Sequence, residues 1–148
     1  FNSSSFENII CFEVLEHTFD YEELLKEMNR VLKAEGVLYL SVPFAAKFHQ
    51  IPWDFFRFTP TSLKILLKIN NFNIISFQRR GGDISVVFHY IIVAILGLVF
   101  VKKPISSVIG ILLLPIGIIC GLLSNVFEYF DLGAPENTLG YFIICKKI

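Results

Sequence analysis

The sequence has no excess of charge of either sign. Thirteen basic residues face thirteen acidic ones, for a formal net charge of +0. That balance excludes the basic footprint on which nucleic-acid binding depends, and no nucleic-acid partner is expected. Cysteine is scarce: Cys11, Cys120 and Cys145 fall at no metal-binding or disulfide spacing. They are expected as buried apolar side chains in a reducing compartment. No secretory signal is visible, but the first residue is Phe1 rather than methionine. The chain is therefore read as a fragment lacking its N-terminal half, and the missing signal excludes nothing.

Charge is also missing locally. Residues 84–101 contain no Asp, Glu, Lys or Arg, although His89 lies among them, and 105–127 contain none either. Lys102-Lys103-Pro104 separates the two runs. As helices rising ~1.5 Å per residue they would be about 27 and 34 Å long, against roughly 30 Å for a bilayer's hydrocarbon core. Neither run has the polar face of a soluble surface helix. A pair of buried core helices is the alternative, but so small a domain has no second layer to cover them. Gly117 and Gly121 form a G-x-x-x-G that would permit close helix contact, and Pro115 is expected to kink the second helix. The two runs lift the apolar content to 54% and the mean hydropathy to +0.63, where about 45–50% apolar is usual.

What is present is organised around residues 7–44. Ile9, Ile10 and Phe12 suggest a short strand buried on both faces. Glu13, Glu16 and His17 follow at once. Asp20 with Glu23 three residues on resembles a capping box, and Leu24, Leu25, Met28, Val31 and Leu32 form one helical stripe. Glu35-Gly36 breaks that helix, with Gly36 expected in the left-handed C-terminal turn. Residues 37–42 are a second buried strand, ended by Pro43. Two strands joined by such a helix make a parallel crossover, and ligands then sit beyond the strands' carboxyl ends. Residues 45–58 form an aromatic loop carrying His49, Trp53, Asp54 and Arg57. Thr59-Pro60 starts a helix that Asn70-Asn71 ends. Residues 72–77 are the next strand, and 141–145 the closing one.

The words FEVLEH, a helix ending RVLKAEG, then VLYLSVPF and HQIPWDFFRFTPTSLKILLKINNFNII resemble the second half of a class I S-adenosylmethionine-dependent methyltransferase. The family's glycine-rich cofactor loop is not among these words. The resemblance implies an α/β, partial Rossmann-like fold holding strands 4 to 7, with two hydrophobic helices inserted before an antiparallel last strand. It divides the chain into residues 1–80, the C-terminal half of the catalytic domain; 81–130, a hydrophobic hairpin; and 131–148, the closing strand. It implies a methyltransferase, inactive as this fragment alone, with S-adenosylmethionine as cofactor. Cys11 and Glu13 are then the cofactor-side positions.

Glu13, Glu16 and His17 stand at i, i+3 and i+4. They share a direction if the turn is helical, and such a group can bind a divalent metal or act as a general base. In small-RNA 3′-end and ubiquinone-pathway O-methyltransferases an E-x-x-E-H word helps coordinate magnesium or a similar metal. The matching ligands here are Glu13, Glu16 and His17, with His49 as a fourth by position. Other family members carry the word with no known metal, and Glu16, His17 and His49 then remain as the candidate catalytic residues. Trp53, Phe56 and Arg57 are candidate substrate contacts; the alternative is a packed lid with Arg57 bonding loop carbonyls. Arg79, Arg80, Lys102 and Lys103 flank the apolar runs as headgroup anchors or ordinary solvated charge. The expected location is membrane-associated with the catalytic side cytoplasmic, and the expected acceptor a small or lipid-linked molecule. A degenerate, non-catalytic binding module tethered to the membrane is the competing reading.

Overall fold

The structure is a computed structural model that describes residues 1–130, 134 and 136–148. The start of the predicted closing segment, 131–133 and 135, lies outside the described residues. Among the described residues four strands and four helices run in the order β1 (Phe6–Phe12), α1 (Tyr21–Val31), β2 (Leu32–Pro43), α2 (Pro60–Ile69), β3 (Phe72–Arg80), α3 (Asp83–Phe100), α4 (Pro104–Tyr129) and β4 (Gly140–Lys147), with a 3-10 turn at Leu15–His17 between β1 and α1. The chain divides into two compact units, residues 1–80 with 140–148, and residues 81–139.

In the first unit the sheet order is β1-β2-β4-β3. β1 pairs parallel to β2, while β4 runs antiparallel to both β2 and β3. The reversed last strand is as predicted; its place between the second and third strands is decided by the structure. The core follows the two-residue period of the strands. Leu38, Leu40 and Val42 of β2 and Tyr141, Ile143 and Cys145 of β4 join Leu25 and Met28 of α1 and Leu63, Leu66 and Leu67 of α2 in one buried cluster. The alternate residues Tyr39, Phe142 and Ile144 are only half-buried. Burial pushes the Cys145 thiol up to about 12 and that of Cys11 to about 11, as expected of neutral apolar cysteines.

Two local expectations need correction. β1 is not buried on both faces: Ile10 and Phe12 are exposed, on the sheet face where their neighbours Tyr39 and Phe142 are also only half-buried. Nor does Gly36 take the left-handed turn. The helix already ends at Val31, and Glu35 carries the positive φ of 63°. Gly36 is needed for close approach instead, since a Cβ there would lie 2.9 Å from the Lys33 carbonyl oxygen and 3.2 Å from that of Glu7. The irregularity in the β1–β2 register falls beside it, between Phe6 and Asn8. The next helix behaves as read: Thr59 Oγ1 accepts from Ser62 N–H at 3.2 Å, Pro60 opens α2, and Asn71 takes φ 59° beyond its end.

In the second unit α3 and α4 pack on each other as a hairpin. Both are long and apolar enough to cross a membrane, and only 11% of each apolar stretch is buried. They are therefore not core helices of this chain. Of the α4 glycines, Gly110 is the most closely met: a Cβ there would lie 2.6 Å from the Val99 backbone nitrogen. Gly117 and Gly121 make only ordinary contacts, with Ile95 and Ile92. The helix α4 continues through Pro115.

Candidate active site

The carboxyl ends of β1 and β2 and the start of β4 form one edge of the sheet. Ser41 pairs with Phe12, and Pro43 with Gly140, which also pairs with Arg80 at the end of β3. The 3-10 turn and the loop between β2 and α2 lie on this rim. The loop is fastened to the turn because the N–H groups of Phe55 and Phe56 donate to the Glu16 carbonyl at 2.9 and 3.3 Å.

Three predicted residues converge there: one oxygen or nitrogen from each of Glu16, His17 and His49 lies within 4.8 Å of the others. The two Nε2 atoms are 3.0 Å apart, and Glu16 Oε1 lies 3.6 Å from His17 Nε2 and 4.0 Å from His49 Nε2. The other ring nitrogens fix the tautomers. His17 Nδ1 is 2.7 Å from the Trp53 carbonyl oxygen, and His49 Nδ1 is 3.0 Å from that of Lys47. A carbonyl oxygen only accepts, so each Nδ1 carries a proton. In the neutral rings both Nε2 lone pairs then face each other at 3.0 Å, beside a carboxylate. That arrangement repels unless a cation, either a proton or a metal ion, lies between the two nitrogens.

Glu16 adds to the demand. Its side chain is fully buried, and neither oxygen has a hydrogen-bond partner among the described residues. Burial raises its pKa above the ordinary 4.5. Its own backbone N–H opposes the shift, Glu13 adds to it, and His17 and His49 oppose it. The folded state thus binds more protons than the unfolded chain between 4.5 and the raised value, so stability falls as pH rises through that window. Glu16→Gln is expected to raise the melting temperature near neutrality in the absence of added metal, with the gain shrinking as pH falls through the raised value and gone below the ordinary 4.5. Melting curves of both proteins across that range test this; a gain independent of pH would show that the buried charge is not the cause.

Glu13 does not join the cluster, contrary to the predicted four-ligand set. The turn is not one continuous helix: Glu13 takes φ 53° and only Leu15–His17 are helical, so the i, i+3, i+4 stacking on Glu13 fails and only the chain neighbours Glu16 and His17 stay together. The Glu13 carboxylate instead accepts from Ser41 Oγ at 2.8 Å and pairs with Arg80 at 3.2 Å. It stays on the rim, where a cofactor hydroxyl or amine could meet it. Cys11, the other predicted cofactor position, turns its side chain into the core and offers the rim only its backbone.

Among the predicted substrate contacts, Arg57 is committed to Asp54, with hydrogen bonds of 2.6 and 2.8 Å, and to the Phe56 carbonyl at 2.8 Å. The packed-lid alternative describes it. Phe56 packs edge-on against Tyr21 at 4.9 Å and lines a cavity with Phe19 and Asp20. The Trp53 ring points away to solvent. Asp54 was not singled out by the sequence, although its D-x-x-R spacing with Arg57 was there to be read. Arg57, then the His49 amide at 3.0 Å, hold its carboxyl well below the usual carboxylate range despite burial. Asp54 thereby sets the backbone position of His49.

Residues 1–77 match the methyltransferase domain family. That is just over half of the 148 residues, and the chain belongs to this family. Solved structures agree on the fold. A putative sarcosine dimethylglycine methyltransferase from Galdieria sulphuraria is similar at TM-score 0.58 and 12% identity, over 99% of this chain and 55% of that one. A 1,6-didemethyltoxoflavin-N1-methyltransferase from Burkholderia thailandensis, with S-adenosylhomocysteine bound, gives 0.53 and 13% over 99% and 46%. A SAM-dependent methyltransferase from Archaeoglobus fulgidus gives 0.54 and 15% over 98% and 61%. The chain thus spans about half the length of these structures. Among curated protein sequences none matches it.

Proposed function

We propose that this chain is the acceptor-side half of an S-adenosylmethionine-dependent methyltransferase that works at a membrane on a lipid-linked or membrane-dissolved acceptor. The observation that carries the catalytic part is the Glu16–His17–His49 cluster on the rim, with its unpartnered carboxylate and opposed lone pairs. S-adenosylmethionine supplies a methyl group already activated on its sulfonium. The residues here fit it in part. Glu13 offers a rim carboxylate, while the 148 residues contain no G-x-G-x-G word. The chain's own work is to orient the acceptor and take its proton. His17 Nε2 or His49 Nε2 receives that proton, and Glu16 stabilises the imidazolium that results. If the cation is a divalent metal, Glu16, His17 and His49 supply three ligands, and two imidazoles with one carboxylate suit a transition ion better than magnesium. Phe56 walls the acceptor side.

The membrane part rests on the two exposed apolar helices. Both connections to them leave from the rim, because Arg80 and Gly140 are register partners at the sheet edge that carries the site. We read this connectivity as support for a lipid acceptor met on a cytoplasmic catalytic side. Calorimetric titration with S-adenosylmethionine tests the assignment of the strands. A longer polypeptide that includes a glycine-rich loop and its strands before β1 is expected to bind, and these 148 residues alone are not. Tight binding by the short chain would mean that the cofactor site has been misplaced.

A further inference from the structure

The loop between β2 and α2 is inside out. Its one acidic side chain faces inward: Asp54 is 1% exposed and gripped by Arg57, and the same Asp54 accepts from the His49 amide, while Lys47 stays exposed. Its large apolar side chains face outward, with Phe48 70%, Ile51 76% and Trp53 64% exposed. Phe19, 68% exposed, extends the patch through Phe55, its ring 5.6 Å away. A water-facing loop buries such groups and displays the charged ones. The segment has not been left loose to collapse later. Phe55 and Phe56 are hydrogen-bonded to the Glu16 carbonyl, and the Trp53 N–H donates to Gln50 at 2.9 Å. The apolar side chains are held out by a fastened backbone, and large exposed apolar groups gathered on one loop mark a contact surface.

We propose that this patch is a second membrane contact, by which the methyltransferase unit itself dips Phe19, Phe48, Ile51, Trp53 and Phe55 into the interfacial layer of a bilayer. Tryptophan among phenylalanine and isoleucine is the composition that settles at the level of lipid headgroups. Residues 44–53 contain no acidic residue, and Lys47 among them suits anionic headgroups. The position agrees. The loop leaves the sheet at Pro43, the register partner of Gly140, and Gly140 and Arg80 are where the chain connects to the two apolar helices. One sheet edge therefore issues both the loop and the helical insertion. The inference rests on the membrane reading above and adds to it that the site's own covering loop touches lipid. A lipid acceptor would then reach the Glu16–His17–His49 cluster without crossing water.

Trp53 is the single tryptophan in the chain, so its emission reports on this patch alone. The test reconstitutes the chain with vesicles of phosphatidylcholine and phosphatidylglycerol whose acyl chains are either plain or brominated. Flotation is measured beside Trp53 fluorescence. The expected result is co-flotation, with Trp53 emission shifted to the blue and largely quenched by brominated lipid, and with the quenching diminished in Phe48→Ser/Ile51→Ser. Co-flotation with emission that bromine does not touch overturns this inference and leaves the helical anchor standing. A blue shift insensitive to bromine means that polypeptide rather than lipid covers the patch, and also overturns it. Failure to float removes the membrane reading and this inference together.

Discussion

His17→Ala is expected to lower methyl transfer by the intact enzyme by roughly 10²–10⁴, the usual cost of removing a positioned base. Glu16→Ala is expected to fall in the same range. The two losses should not add, because Glu16 and His17 belong to one cluster with His49. Both variants should stay folded. His17 lies at the rim, and removing the Glu16 carboxylate relieves a buried group that lacks a hydrogen-bond partner. Rates are to be measured with native acceptor, with and without a chelator. Activity that survives the chelator but not His17→Ala identifies the cation as a proton. Activity lost to both, and restored by a transition ion in the parent only, identifies it as a metal. Near-normal rates in both variants would falsify the site.

The second large effect concerns the inserted helices. Arg80 and Gly140 are neighbours across the β3–β4 ladder, so residues 81–139 can be cut out and the strands rejoined by an Asn-Gly turn. The rejoined protein is expected to lose most of its membrane association while keeping the core of the sheet unit, whose buried cluster contains no described residue of 81–139. Fourteen residues of 105–127 are Leu, Ile, Val or Phe, and at roughly 0.3–0.6 kcal/mol each in mid-bilayer they favour insertion by roughly 4–8 kcal/mol before polar costs. Losing a term of that size moves a protein between fractions outright. Sedimentation and activity on the native acceptor are measured together. A rejoined protein that pellets as before refutes the helical anchor. One that turns soluble yet methylates the acceptor equally well without detergent breaks the link between anchor and substrate.

Local signals in the sequence were enough for the element order, the parallel crossover, the Thr59 cap, the two apolar helices and the family. Each depends on residues close together in the chain: a two-residue or 3.6-residue period, a cap, or a run without charge. The pairing of His17 with His49 was legible only as two imidazoles expected on the same rim. Their opposed Nε2 atoms depend on carbonyls of Trp53 and Lys47, and backbone carbonyls carry no residue signature.

Other features were decided by the tertiary structure alone, for definite physical reasons. Glu13 leaves the cluster because one positive φ breaks the helical spacing on which the reading relied, and Ser41 and Arg80 hold it elsewhere. Gly36 serves close packing rather than a left-handed turn, because a β1 carbonyl approaches it. Arg57, which composition offers equally to a substrate anion or to the loop, is taken by Asp54 at contact distance. The outward face of Phe48, Ile51 and Trp53 follows from that same inward pair and from the Glu16 carbonyl fastening the loop. Side-chain direction in an irregular loop has no period to read. It is set by which polar groups find partners inside.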